Sequence, residues 1–142
     1  MDLFKELDGA LKNLYSVFKK ASSKVSKIAR RNFIGAPEGP PPYFWRKSIA
    51  IGGKDYFLMV EDEGYMNASV IRITTPKEIT LSVCPQSDKD FVYYVRSFTG
   101  DGRTRISNSI SDSFELKDEL GINEQEIEEL INQIKLWAIE RV

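Results

Sequence analysis

The sequence contains no histidine and only one cysteine, Cys84, among its 142 residues. Histidine is the commonest general base and the commonest metal ligand, so its absence excludes Ser-His and Cys-His nucleophilic catalysis and leaves too few ligands for a zinc site. A single cysteine forms no intrachain disulfide, which suits a reducing compartment such as the cytoplasm. These absences favour a protein that is not an enzyme and has no cofactor.

Long hydrophobic runs are also missing. No apolar run reaches the roughly 18 residues that would suggest a membrane span. The first helix-like stretch is acidic at its start and lacks the unbroken apolar core of a signal peptide. We therefore expect an intracellular protein that does not enter a membrane. The absence of histidine and the scarcity of glutamine are compatible with a thermophilic source.

The charge distribution is uneven, although the formal net charge is only −1. Residues 1–47 carry ten Lys or Arg against four Asp or Glu, and residues 112–142 carry three against nine. A basic front and an acidic back indicate internal charge matching, head-to-tail association or an anionic ligand near the front.

The chain is expected to form one α+β domain over residues 1–142. Residues 1–34 are predicted to form a basic N-terminal helix, because apolar residues from Leu7 to Ile28 alternate spacings of four and three. Residues 35–42 are a linker, since three consecutive prolines cannot continue a helix. Residues 43–107 are predicted to form an antiparallel sheet of five or six strands, with a two-glycine hairpin turn at Gly52-Gly53.

The C-terminal segment, residues 108–142, is predicted to be helical. Asn123 is a good N-cap and Glu126 follows three residues later, as in a capping box. The apolar stripe of this last helix either docks on the sheet or pairs two subunits into a homodimer. The residues expected to mediate dimerisation are Ile127, Leu130, Ile131, Ile134 and Trp137.

Aromatic and cationic residues are interleaved in the predicted sheet. Proteins that bind single strands combine aromatic platforms, on which bases stack, with cations that follow the phosphate backbone. The sequence therefore predicts sequence-tolerant binding of single-stranded DNA or RNA, with DNA favoured. The stacking candidates are Phe44, Trp45, Tyr94 and Phe98, and the phosphate-binding candidates are Arg46, Lys47, Arg72, Arg96, Arg103 and Arg105.

Two other functions stay open. The terminal helices are amphipathic, which is typical of a protein–protein adaptor or an assembly subunit. Glu115-Leu116-Lys117 resembles half of a metal-dependent nuclease site, with Asp101 or Asp112 supplying a second carboxylate. Such tripeptides are frequent by chance, so the nuclease is the third alternative.

The arrangement resembles the archaeal ThermoDBP group of single-stranded DNA-binding proteins. The features that carry the resemblance are the aromatic-basic run 43–47, the strand 93–98 with its Arg96, the later Arg103 and Arg105, and the terminal helix from Asn123. The resemblance implies a small sheet with flanking helices, a cleft with an apolar floor and basic rims, and subunit pairing through a terminal helix.

Overall fold

The computed structural model describes residues 2–32, 43–62, 69–86, 90–98, 104–107 and 110–142, with side chains at all of these except 25–32, 43, 98 and 104–107. This part of the chain contains the helices α1 (Leu3–Asn32), α2 (Ser113–Leu120) and α3 (Glu124–Arg141), and the strands β1 (Tyr43–Ile51), β2 (Lys54–Asp62), β3 (Ser69–Thr74), β4 (Ile79–Pro85), β5 (Phe91–Phe98) and β6 (Thr104–Ser107). The α+β fold predicted from the sequence is confirmed. The linker predicted at 35–42 lies outside the described residues.

The six strands form one antiparallel sheet whose spatial order is the chain order, β1 to β6. Such a meander follows from short connections, because consecutive strands joined by a tight turn pair side by side. The predicted hairpin joins β1 to β2, and Gly52 and Gly53 adopt φ values of 59° and 77° there. Left-handed values at both central residues are those that a primed hairpin turn requires and that glycine accepts without strain.

One face of the sheet, called the inner face here, carries the hydrophobic core. Along β1 to β5, buried residues alternate with exposed or half-buried ones, as in Tyr56, Leu58 and Val60 of β2. The described helices pack on this inner face. The opposite face, called the open face here, is covered by no helix in the described part of the chain.

Helix α1 crosses the inner face from β5 to β1. Near its start, Phe4 packs edge-to-face on Tyr93, and further along Phe18 packs edge-to-face on Trp45. The predicted apolar stripe is buried in its described part, since Leu7, Leu11, Leu14 and Phe18 are fully buried. The helix therefore packs on both β1 and β5.

Helix α3 covers β1 and β2 and packs against α1. Its N-cap is Asn123, whose side-chain oxygen accepts a hydrogen bond of 2.8 Å from the backbone N–H of Glu126. All the residues predicted to mediate dimerisation lie in the core of the chain itself, each no more than 2% exposed, so the prediction that they form a surface between subunits is wrong. The side chains concerned are Ile127, Leu130, Ile131, Ile134 and Trp137. The apolar side chains of β1 and β2 on the inner face are covered by the apolar stripe of α3.

Polar side chains fix the helices on the sheet at three points. The buried Asp62 carboxylate of β2 accepts hydrogen bonds from Ser22 Oγ at 2.6 Å and from Lys19 Nζ at 3.1 Å, both on α1. The hydroxyl of Tyr93 donates to Asp8 on α1. The hydroxyl of Tyr56 donates to Glu126 on α3 at 2.7 Å. Hydrogen bonds from neutral hydroxyls to carboxylates are directional, so they orient helices that apolar contact alone would leave free to slide.

None of the helices in the described ranges is long and apolar enough to cross a lipid bilayer.

The Asp62 carboxylate is expected to stabilise the fold. Asp62→Ala should lower the free energy of unfolding by about 1–3 kcal/mol, because the buried Ser22 hydroxyl loses this acceptor. Urea unfolding followed by circular dichroism measures the change. The control is Asp55→Ala, which removes an exposed carboxylate from the same strand and should have an effect within about 0.5 kcal/mol. Equal unfolding midpoints for the two variants would contradict the role of Asp62.

The Tyr93 hydroxyl makes the stability of the fold depend on alkaline pH. Burial, followed by the hydrogen bond to Asp8, raises the pKa of Tyr93 well above its ordinary value of 10.0. Above pH 10.0 the unfolded chain loses this proton while the folded chain retains it, so stability falls as the pH rises. Tyr93→Phe should reduce the steepness of that fall in urea unfolding on either side of pH 10.0. The control is Tyr94→Phe, which alters the neighbouring exposed ring and should leave the steepness of the fall unchanged. If Tyr93→Phe also left the steepness unchanged, the assignment to Tyr93 would be wrong.

Candidate nucleic-acid interface

The open face presents its side chains in rows that run across the strands. Because the register is known for each strand pair, the residues directly opposite one another can be followed from β1 to β5. One row, called the Arg46 row here, consists of Arg46, Met59, Arg72, Ser82 and Tyr94. Neighbouring strands lie about 4.8 Å apart, so this row extends over about 19 Å.

A second row lies beside the first on the same face. This row, called the Phe57 row here, consists of Ser48, Phe57, Thr74, Thr80 and Arg96. Phe57 is 55% exposed and is among the most exposed large apolar side chains in the described part of the sheet. The two rows together combine three arginines with two exposed rings, Phe57 and Tyr94.

Phe44 extends this surface along β1. The guanidinium carbon of Arg46 lies 4.5 Å from the centre of the Phe44 ring, a cation–π distance. Phe44 is 46% exposed, so part of its ring is accessible to a ligand. A guanidinium above an aromatic ring keeps its charge, so Arg46 can still attract a phosphate.

Arg72 is the central cation of the Arg46 row. Its Nη1 atom lies 3.2 Å from the Glu61 carboxylate in a half-exposed ion pair. Such surface pairs are worth little free energy, so Arg72 can exchange Glu61 for another anion at small cost. Glu61 also places a negative charge beside the row, which lowers the attraction of this face for anions.

A shallow cavity of about 410 Å³ lies on the open face between β1, β2 and β3. The side chains of Arg46, Phe57, Met59 and Arg72 line it, together with Thr74. Its floor is apolar and two guanidiniums border it. An exposed apolar floor with cationic borders suits a flat ring that carries a negative substituent.

Two of the predicted binding residues lie on the other side of the sheet. The prediction that Trp45 stacks on bases is wrong for this fold, because its ring is 5% exposed and packs on Phe18 at 5.1 Å. Lys47 also belongs to the inner side, where its ammonium lies 3.1 Å from Glu140 of α3. The reason is that β1 already includes both residues. The strand begins at Tyr43, and its alternation sends Phe44 and Arg46 to one face and their neighbours to the other.

The remaining predicted residues divide into two groups. Arg72, Tyr94 and Arg96 lie on the open face with Phe44 and Arg46. Arg103 lies outside the described residues, and at Phe98 and Arg105 the structure describes the backbone alone, with Arg105 opposite Ser97 in register.

Phe57 and Met59 were not among the predicted binding residues. The signal for them was present, because β2 alternates strictly and Tyr56, Leu58 and Val60 form its apolar core side. A strand whose second face is also apolar, at Phe57 and Met59, indicates an exposed apolar surface.

The Glu115-Leu116-Lys117 segment has a structural explanation. Glu115 lies in the first turn of α2 and accepts hydrogen bonds from the Ser111 backbone N–H at 2.8 Å and from Ser111 Oγ at 2.9 Å. The bond from the Ser111 backbone, followed by that from its hydroxyl, lowers the pKa of Glu115. Asp112 is the N-cap of the same helix. Residues two apart on a helix face different directions, so Glu115 and Lys117 do not converge on one point.

In the described ranges, no three Asp, Glu or Cys side chains are grouped closely enough to hold a metal ion. Asp101, the other carboxylate of the nuclease alternative, lies outside these ranges.

Comparisons with protein-family models, with curated proteins and with solved structures found no match to this chain.

Tryptophan fluorescence tests the position of Trp45. The chain has two tryptophans, Trp45 and Trp137, and both are buried against the helices. Acrylamide should quench their emission weakly in the folded protein and strongly after unfolding in urea, which serves as the control. Strong quenching in the folded protein would place Trp45 at the surface and restore it as a stacking residue.

Proposed function

We propose that the open face of the sheet binds single-stranded nucleic acid, with DNA favoured, without regard to sequence and without catalysis. The observation that supports this most is the Arg46 row, where two arginines and Tyr94 lie on one line across five strands. A single strand that followed this line would have guanidiniums near its phosphates and rings beneath its bases.

The aromatic side chains account for a preference for single strands. Phe44, Phe57 and Tyr94 are all exposed on the open face. A base can stack on an exposed ring only when it is not already paired and stacked within a duplex. Each stacked base contributes about 1–3 kcal/mol, so two occupied rings would add about 2–6 kcal/mol to the phosphate contacts.

The arginines account for sequence tolerance. Phosphate contacts position a strand but carry no direct information about its sequence. The described open face offers Arg46, Arg72 and Arg96 for this purpose, and the carboxylates Asp55 and Glu61 of β2 lie on the same face. With three phosphate contacts, the logarithm of the binding constant should fall with the logarithm of salt concentration with a slope of about −2.

The similarity to the ThermoDBP group stays a prediction of the sequence. The open face supplies the apolar floor and basic borders that such a binder needs, whereas the subunit pairing by the buried stripe of α3 does not fit this chain.

A second candidate function is assembly through α3. Its outer side exposes Leu136, Ile139 and, just after the helix, Val142. Their spacing of three residues places them near one side of the helix, where a partner could cover them. Sedimentation of the full chain as a monomer at high concentration would argue against self-assembly through this surface.

Removal of two arginines tests the proposed function. The variant Arg46→Gln with Arg72→Gln should bind a labelled single strand about tenfold more weakly and lose about 1.4 from its salt slope, because two phosphate contacts disappear. Fluorescence anisotropy across a salt series measures both quantities. A duplex of the same sequence should bind more weakly to the unmodified chain.

The matched control is Lys117→Gln with Lys135→Gln, which removes two exposed positive charges from α2 and α3. This control should bind like the unmodified chain. Equal affinity and equal salt slope for the arginine variant and the control would contradict binding on the open face.

A further inference from the structure

A second cationic surface lies on the helix side of the molecule, between α1 and the start of β5. It is a groove of about 700 Å³, called the basic groove here. Its cationic lining comes entirely from α1, and its aromatic lining comes from both elements. The residues that matter for the argument are Lys12, Lys19, Lys20, Lys24, Tyr15 and Phe91.

The charge of the basic groove is only partly neutralised. Lys12 pairs with Asp8 at 2.8 Å and Lys19 pairs with Asp62 at 3.1 Å. Lys20 and Lys24 are exposed on the same helix. Four ammonium groups against two carboxylates leave an excess of positive charge, along about 18 Å of helix at 1.5 Å per residue.

The floor of the basic groove is aromatic. The rings of Tyr15 and Phe91 meet edge-to-face at 5.6 Å, and the Lys12 ammonium lies 5.6 Å from the centre of the Phe91 ring. Both rings are half-buried, so the floor is fixed and still accessible. Lysines beside fixed rings form the combination that holds a phosphate backbone and its bases.

The basic groove lies near the open face at the start of β5. Phe91 lines the groove on the inner side of this strand, and Tyr94 ends the Arg46 row on the open side. The two residues are three positions apart, which is about 10 Å along a strand.

We infer that the basic groove is a second binding segment for the same single strand, whose phosphate backbone continues from Tyr94 past Phe91 to the lysines of α1. The inference rests on the proposed function and extends it. The bound strand covers both sides of the molecule, so affinity depends on strand length. Short strands occupy the open face alone, and long strands also reach Lys20 and Lys24.

The test compares two strand lengths, about 6 and about 20 nucleotides of oligodeoxythymidine; the first lies within and the second beyond the about 4–16 nucleotides that one OB fold covers. Anisotropy across a salt series is measured for the full chain and for Lys20→Gln with Lys24→Gln. The long strand should bind this variant about tenfold more weakly, with a salt slope smaller by about 1.4, since two phosphate contacts are lost. The short strand should bind both proteins equally.

The controls separate this inference from the proposed function. Lys117→Gln with Lys135→Gln should bind both lengths like the unmodified chain. Arg46→Gln with Arg72→Gln should weaken both lengths, because both occupy the open face.

Three results would overturn the inference. The first is a lysine variant that binds the long strand normally, in which case the open-face proposal survives alone. The second is a lysine variant that loses both lengths equally while the arginine variant loses neither, which would move the whole site to α1 and also refute the open-face proposal. The third is a complete absence of binding to the unmodified chain, which would refute both.

Discussion

The rest of the structure depends on the one-sided covering of the sheet. All three helices pack on the inner face, where Trp45, Tyr93 and the apolar stripes of α1 and α3 form the core. A six-stranded sheet buries only the face that receives helices, so its other face must be compatible with solvent or with a ligand. Here that face is not simply polar. It exposes Phe44 and Phe57 between arginines. Exposed apolar rings lower the solubility of a protein, so their presence indicates a functional surface.

Charge and packing support each other in this arrangement. Two ion pairs join helices to the inner side of the sheet, Lys19–Asp62 and Lys47–Glu140. Part of the basic front and part of the acidic back of the sequence are thus matched internally. Lys20, Lys24 and the open-face arginines are exposed, so a chain with a net charge of −1 still presents cationic surfaces. A neutral balance of the whole sequence is therefore compatible with an anionic ligand.

Local patterns were sufficient to predict the fold class. The seven-residue spacing of α1, the Gly52-Gly53 hairpin and the Asn123 cap depend on neighbours in the sequence, and each has its predicted form in the structure. The site was predicted less completely. The alternation in β1 separates Phe44 from Trp45 and Arg46 from Lys47, but this could be applied only once the start of the strand at Tyr43 was known. The burial of the α3 stripe could not be predicted from the sequence either, because an apolar stripe has the same pattern whether it packs on the chain's own sheet or on a second subunit.

The central claim is that single strands lie on the open face of the sheet. Ultraviolet cross-linking of the full chain to oligodeoxythymidine, followed by mass spectrometry of the peptides, locates the bound strand directly. The account predicts cross-links at Phe44, Phe57 and Tyr94, whose rings are exposed on that face. Cross-links confined to α2 and α3, or none at a concentration where the strand is bound, would contradict it.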